Sequence, residues 1–267
     1  DLDTITYTLA GEIDPERGWG LAGENWRAME ALGRYAEVRP DGSAAAPTWF
    51  NLGDQDLATH FYRTARLGEG ATLTEVTAEI TRAWGLGLTL LPMTDAPART
   101  MVALADGTEV GFQDYFVRLR HGVPVSGVRF DNAGAMPTGA VRAALADSAV
   151  VVIAPSNPLV SIGPIRALPD VDDALGARRD TVVAVSPIVG GAALKGPADR
   201  MLSELGSEPS VVGVARLYAP IAAALVIDPV DAALAAAVEA EGMRAIVQPS
   251  VMSSPDVAAA LARATLP

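Results

Sequence analysis

The sequence contains no cysteine, which excludes disulfide bonds, thiolate nucleophiles and cysteine-ligated metal sites. It has only two histidines, His60 and His121, so the residue types that bind zinc are scarce. No apolar run approaches the roughly 20 residues that a membrane-spanning helix needs. We therefore expect a protein without a membrane partner and without zinc or thiol chemistry.

Aromatic residues are also few, at 5%, although apolar residues make up 50% of the 267 positions. A core of this composition consists mainly of Ala, Val, Leu and Ile, which favours helices packed on a sheet. The formal net charge of -12 and the lack of a long basic run argue against nucleic acid or an anionic membrane as a partner. If the protein binds an anionic ligand, we expect the binding site itself, and not the overall charge of the protein, to supply the attraction.

Strand and helix patterns alternate regularly from Pro137 to the end of the chain. This rhythm predicts an α/β fold with a doubly wound, mostly parallel sheet. The stretch 86–130 interrupts it, because a β-hairpin pattern surrounds Asp106 and Gly107. We interpret the chain as one domain over 1–267, with an inserted, cap-like region at about 60–130 and a helical or hairpin excursion at about 86–130.

Helices are also predicted near the start of the chain. Asp1 is a candidate N-cap for a first helix, in which Leu2, Ile5 and Leu9 recur at helical spacing. Further along, a brief strand is predicted at 49–52, and Leu57, Phe61 and Ala65 form one apolar face of the helix that follows it. A further strand is predicted to end at Pro92.

The stretch 149–164 joins a short apolar strand, Val150 to Ile153, to a turn that contains two prolines. Ligands of open α/β sheets bind beyond the carboxyl ends of the strands. The polar and small residues of this loop are Ser156, Asn157, Ser161 and Gly163. Two interpretations stay open from the residues alone: a plain strand-to-helix connection or a ligand site.

A second polar stretch lies at the predicted start of a helix, where Asp54, Asp56 and His60 come close together in sequence. Carboxylates at a helix N-terminus either cap the helix or bind a metal. His60 is either a hydrogen-bonded structural residue or a ligand. The aspartates that suit Mg²⁺ as hard oxygen ligands are Asp1, Asp3, Asp54, Asp56 and Asp95. No nucleophile elbow, Walker motif or dinucleotide fingerprint is present. The aspartates themselves favour a Mg²⁺-assisted phosphoryl or nucleotidyl reaction.

Several motifs, in order, resemble those of the CofD/FbiA family. They are DLDTITYTLAGEID, RGWG, LGDQDLATH, LPMTD, FQDYFV, APSNPLVSIGPI, VAVSPIVGG, LKGPADRML and VMSS. The resemblance implies a Rossmann-like, homodimeric, cytoplasmic transferase of coenzyme F-420 biosynthesis. Such an enzyme transfers a phospholactyl or phosphoenolpyruvyl group from a guanosine-diphosphate-linked donor to the deazariboflavin Fo, and it releases GMP with Mg²⁺ present.

The resemblance also implies roles for individual residues. Asp3 and Asp54 correspond to catalytic positions, and Asp3 either binds the metal, together with Asp1, or orients the acceptor hydroxyl. The implied acceptor-binding residues are Asp54, Gln55, Asp56, His60 and Asp95. The implied nucleotide-binding residues are Ser156, Asn157, Ser161 and Gly163.

Two departures from the family pattern bear on these expectations. Gln55 stands where the family usually has Arg, so a fixed cation is lost. The Gly-rich phosphate loop that precedes DLDT in the family does not occur in this sequence, and we therefore expect weak or absent GDP binding by the 267-residue form. The alternative function is a YvcK-like regulatory protein that binds a sugar nucleotide without catalysis.

Overall fold

The computed structural model describes residues 2–266. Contacts within the chain divide it into two compact units, Asp1–Asp95 and Ala96–Pro267, which we call the N-unit and the C-unit. The boundary between them lies inside the stretch 60–130 that the sequence suggested as an insertion. The description of the chain as a single domain with that insertion stays a prediction.

Helices form the N-unit, and their bounds are Leu2–Ala10 (α1), Arg27–Ala36 (α2), Asp54–Gly68 (α3) and Leu73–Ala83 (α4). The start of α4 is a capping box, in which Thr72 accepts from the Glu75 amide and Glu75 accepts from the Thr72 amide. The strands predicted at 49–52 and before Pro92 do not form. The residues there make turns and irregular backbone instead.

The inward faces of α1 and α3 are polar, which contradicts the apolar faces expected from the sequence. Ile5 and Leu9 are 42% and 48% exposed, and Phe61 is 70% exposed. Buried in their place are Thr6 and Tyr7 on α1 and Asp56 and Thr59 on α3. The apolar spacing was therefore a correct signal for helix and a wrong one for the buried side.

An antiparallel sheet opens the C-unit, with the order β2-β1-β3. Its strands are Arg99–Leu104 (β1), Glu109–Gly111 (β2) and Val125–Asp131 (β3). The predicted hairpin is confirmed: β1 and β2 pair around a turn in which Gly107 has a φ of +88°, a conformation that glycine adopts without strain.

Four parallel strands form the main sheet of the C-unit in the order β4-β5-β8-β9, which confirms the predicted α/β class. Their bounds are Val151–Ile153 (β4), Val182–Val185 (β5), Ala224–Ile227 (β8) and Arg244–Val247 (β9). Every residue of β5 and β8 is buried, as expected for central strands covered on both faces. Leu261 of the last helix packs with Val183, Val185 and Val226 on one of these faces.

The other elements of the C-unit connect or cover these strands. The helices are Gly139–Asp147 (α5), Gly163–Arg166 (α6), Val171–Ala177 (α7), Ala198–Glu204 (α8), Val211–Tyr218 (α9), Ala235–Ala240 (α10) and Pro255–Ala264 (α11), and the short strands are Ile188–Val189 (β6) and Ala192–Ala193 (β7). A π-helical turn, Pro158–Ile162, follows β4, and it contributes Val160 to the core beneath β1 and β3. Among residues 2–266, no helix has the length and apolar character needed to cross a membrane.

Candidate functional site

Helices α1 and α3 are joined by a buried hydrogen-bond network around Tyr7. The Tyr7 hydroxyl lies 2.9 Å from Oδ1 of Asp56 and 2.8 Å from Oγ1 of Thr59. Because a phenol carries one proton, it donates to the carboxylate and accepts from Thr59. The ring of Tyr7 also packs edge-on against Trp84, with centroids 5.4 Å apart. The side chain of Asp56, of which only 8% is exposed, is thus held in one orientation by Tyr7.

Asp3 lies beside this network and is held by Arg63 of α3. Nη1 and Nη2 of Arg63 each donate to one oxygen of Asp3, both at 2.6 Å. This two-point arrangement fixes the plane of the carboxylate as well as its position. Asp3 is therefore an oriented acceptor with its charge balanced by a neighbouring guanidinium.

His60 faces both carboxylates. Its Nε2 is 3.7 Å from Oδ2 of Asp3 and 3.8 Å from Oδ1 of Asp56, and its Nδ1 is 3.5 Å from Nη2 of Arg63. One ligand atom from each of Asp3, Asp56 and His60 lies within 4.8 Å of the other two. We call these three residues the acidic cluster.

Burial changes the acid–base properties of the residues around the acidic cluster. The pKa of Asp56 is raised above its usual range, mainly because the carboxyl group is buried. The negative charges of Asp3 and Glu24 also raise this pKa, whereas the hydrogen bond from Tyr7 and the nearby His60 lower it in part. Burial also raises the pKa of Tyr7, which stays protonated. The hydrogen bond to Asp3 raises the pKa of Arg63. A cation placed between the two carboxylates would relieve the repulsion that they exert on each other.

The donor set fits a hard divalent cation. Asp3 and Asp56 supply carboxylate oxygens, which Mg²⁺ prefers, and such a site usually leaves several positions to water and substrate oxygens. His60 offers a third ligand atom beside the two carboxylates. Asp3 and Asp56 would supply the hard oxygen ligands of such an ion. The predicted metal ligand Asp1 lies outside the described residues.

Three other predicted residues of the N-unit are not members of the acidic cluster. Asp54 accepts from the amide and the side-chain nitrogen of Asn25, at 3.0 and 2.8 Å, at the start of α3. Gln55 is exposed on the same turn. Asp95 accepts from the amide and hydroxyl of Thr74, at 2.7 and 2.8 Å, in the first turn of α4. The contacts of Asp54 and Asp95 are those of residues that secure helix starts.

Sequence reasoning missed Tyr7, Thr59 and Arg63. A usable signal was present in the spacing of these residues. Asp3 and Tyr7 are four residues apart on α1, and on α3 His60 and Arg63 follow Asp56 by four and seven residues. Each set lies on one face of its helix. A polar stripe at helical spacing therefore marks the buried side here.

A shallow apolar hollow of about 370 Å³ lies between α3 and α4. It is lined by Ala58, Thr59, Tyr62, Ile80, Ala83 and Trp84. Thr59 and Trp84 also contact Tyr7, so one wall of the hollow is continuous with the network that holds Asp56.

In the C-unit, the predicted nucleotide loop after β4 is stabilised largely by its own groups. The side-chain oxygen of Asn157 accepts from the amides of Leu159 and Val160, at 2.9 and 3.3 Å. A Cβ at Gly163 would lie 2.9 Å from the ring of Phe130 and 3.2 Å from the Pro158 carbonyl oxygen, so a side chain here would require the ring or the loop to shift. Asn157 and Gly163 thus shape the loop.

The two serines of this loop are different. Neither the half-buried Ser156 nor the exposed Ser161 uses its hydroxyl in a hydrogen bond within residues 2–266. These hydroxyls remain available to a ligand. Their predicted role in nucleotide binding stays a prediction.

Comparison with protein families gives a match over residues 1–259 to the model described as 2-phospho-L-lactate transferase CofD. Similar curated proteins include a phosphoenolpyruvate transferase of Mycobacterium ulcerans (strain Agy99), which is 40% identical over all of this chain and 80% of its own length. A phosphoenolpyruvate transferase of Streptomyces griseus subsp. griseus is also 40% identical, over all of this chain and 83% of its own length.

Among solved structures, protein BH3568 of Bacillus halodurans superimposes with a TM-score of 0.58 and 15% identity. The alignment covers 98% of this chain and 82% of that protein. At this identity, the likeness concerns the fold alone.

Proposed function

Because the chain belongs to the family of 2-phospho-L-lactate transferase CofD, we propose that it transfers a phospholactyl or phosphoenolpyruvyl group to a hydroxyl of the deazariboflavin Fo. The donor in this proposal is the corresponding acid linked to guanosine diphosphate. The acceptor oxygen forms a bond to the phosphorus next to the acid, the bond from that phosphorus to the bridging oxygen breaks, and GMP leaves. The hydroxyl proton passes to a base or to solvent.

The acidic cluster is the observation that carries this proposal. In-line displacement at phosphorus depends mainly on positioning and on neutralising negative charge. Asp3 and Asp56 would hold Mg²⁺, which supplies charge neutralisation for the phosphate oxygens when it is bound. The chain's own residues fix the geometry: Arg63 orients Asp3 through two hydrogen bonds, and Tyr7 orients Asp56.

The C-unit supports the nucleotide side of the proposal with the free hydroxyls of Ser156 and Ser161. Both lie after a parallel strand, where ligands of such sheets bind. The proposal also includes, on the family resemblance alone, a homodimer that works in the cytoplasm.

A transfer assay tests the proposal. The protein is incubated with Fo, Mg²⁺ and either the lactyl or the enolpyruvyl donor, and GMP and the phosphorylated acceptor are separated by chromatography and identified by mass spectrometry. We expect equal amounts of the two products with one donor, and none after chelation of the metal.

The competing function is that of a YvcK-like sensor of sugar nucleotides. Fluorescence titration with Fo separates it from the transferase, because a sensor has no need of this acceptor. Binding of a sugar nucleotide without Fo binding or GMP release would overturn the transferase proposal.

A further inference from the structure

Glu24 lies in the loop between α1 and α2 and has a side chain with no exposed surface. Its Oε1 accepts from the amide of Asp56 at 2.8 Å. Its Oε2 accepts from the amide of Leu21 at 2.9 Å and from Nη2 of Arg17 at 3.2 Å. A carboxylate is acceptable in a buried position when it is paired and hydrogen-bonded in this way.

Two glycines make room for this carboxylate. A Cβ at Gly20 would lie 2.7 Å from Oε2 of Glu24, and a Cβ at Gly53 would overlap the carboxyl group itself. Gly53 is also the N-cap residue of α3, and it offers no side chain to the free amides of the first turn. Glu24 supplies the missing cap from 32 residues away in sequence.

Arg17 balances the charge of Glu24 and is itself fixed. Its guanidinium carbon is 5.2 Å from the ring centre of Trp19 and 5.0 Å from that of Trp26, which are cation–π distances. Nη2 of Arg17 also donates to the carbonyl of Leu21 at 2.8 Å. The carboxylate is therefore held by a loop that Arg17 ties together through these contacts.

The residue whose amide Glu24 holds is also the residue whose side chain belongs to the acidic cluster. The amide of Asp54 is bonded to the Asn25 carbonyl at 3.1 Å, so two amides of the first turn of α3 are tied to consecutive residues 24 and 25. We propose that Glu24 is a positioning residue, which sets the first turn of α3 so that Asp56 and His60 meet Asp3. This inference rests on the proposed function.

The experiment compares Glu24→Gln with Glu75→Gln as a matched control. Glu75 also accepts a main-chain amide at a helix start, at 2.8 Å, but it caps α4 and is exposed. In Glu24→Gln, one carboxylate oxygen is replaced by an NH2 group, which is itself a donor. If that group takes the place of Oε2, it faces two other donors, Leu21 N–H and Arg17. The negative charge opposite Arg17 is also lost. Circular dichroism first identifies conditions in which both variants are folded, and Mn²⁺ binding by calorimetry and the kinetics of transfer are then measured.

We expect Glu24→Gln to weaken Mn²⁺ binding by roughly 10- to 100-fold, as is usual when a group that orients a metal ligand is removed. Its kcat should fall by about 10-fold or more, while KM for the guanosine donor stays within 2-fold. Glu75→Gln should match the wild type in both assays. Glu24→Asp keeps the charge and should recover part of the loss; if Glu24→Gln does not fold, this variant is judged by the same criteria.

The outcomes are distinguishable. Wild-type protein without Mn²⁺ binding or transfer would remove the proposed function, and this inference with it. Wild-type protein that has both, together with a folded Glu24 variant whose Mn²⁺ affinity and kcat are unchanged, would overturn the positioning role alone.

Discussion

Helices α1 and α3 of the N-unit and the central strands of the C-unit bury opposite kinds of side chain. In the N-unit, α1 and α3 turn Tyr7, Asp56 and Thr59 inward, whereas Phe61 is 70% exposed. In the C-unit, all four residues of both β5 and β8 are buried and apolar. Apolar burial stabilises a fold, whereas a buried polar group contributes little net stability even when it is fully hydrogen-bonded. The comparison leads us to expect that changes on the inner faces of α1 and α3 affect activity most, whereas changes in β5 and β8 affect stability most.

Asp3→Asn gives the largest effect expected from this contrast. Asparagine has the shape of aspartate, but it lacks the charge that a cation requires, and it offers only one acceptor to the two donors of Arg63. We expect transfer to fall by about 10³-fold, the order of loss seen when one major charge-stabilising group is removed. GMP release is the measurement, and Asp54→Asn is the comparison.

Asp54→Asn tests the second predicted catalytic aspartate. Asp54 pairs with Asn25 and lies outside the acidic cluster, so the variant should lose much less activity than Asp3→Asn. Equal losses in the two variants would return Asp54 to the reacting centre and contradict our placement of it.

Leu225→Ala tests the stabilising role of the C-unit. Leu225 is fully buried in β8, and its truncation should lower the free energy of unfolding by about 2–5 kcal/mol. Phe61→Ala removes a larger side chain from the N-unit, but it should change this free energy by less than about 1 kcal/mol, because the ring is exposed. Urea unfolding checks both. A costly Phe61→Ala would show that the outward apolar face of α3 is covered in solution.

The sequence predicted the C-unit well because its signals are local and agree with one another. Continuous apolar runs such as Val182–Val185 mark central strands, and of the two serines that could cap the last helix, Ser253 and Ser254, it is Ser254 that does so. The capping box at Thr72 and Glu75 was likewise visible, since all of its groups lie within four residues.

The candidate site was predicted only in part, for a physical reason. Asp3, Asp56 and His60 were candidates, but Arg63 meets Asp3 across 60 residues, and Glu24 meets the Asp56 amide across 32. Such pairings depend on how the helices pack, which propensity does not encode. The apolar spacing of α3 was misleading, because the burial of Asp56 depends on its hydrogen bonds to Tyr7 and Glu24.

Asp56→Asn should stabilise the fold while it removes activity. The pKa of Asp56 is raised in the folded state, so the protonated form folds more favourably than the charged one. The contribution of Asp56 to stability is therefore fully present below its unfolded pKa of about 3.9 and is lost as pH rises through its folded pKa. At neutral pH, the neutral variant should be more stable by about 1 kcal/mol, as is common for changes at functional positions.

Thermal unfolding at a series of pH values checks this prediction. The difference in stability between Asp56→Asn and the wild type should disappear in acid. A variant that is less stable than the wild type at neutral pH would show that the ionised carboxylate contributes to the fold, and it would weaken the contrast between the units.

The smallest expected effects separate two neighbouring residues of the loop after β4. Asn157→Ala removes the acceptor for two amides and should cost about 1 kcal/mol of stability, with little change in KM for the donor. Ser156→Ala removes a hydroxyl that has no hydrogen bond within residues 2–266, so stability should not change. If that hydroxyl binds the nucleotide, KM for the donor should rise by roughly 3- to 10-fold, the size of one hydrogen bond. Unchanged KM in Ser156→Ala would remove Ser156 from the nucleotide site and leave Ser161 as the remaining candidate of this loop.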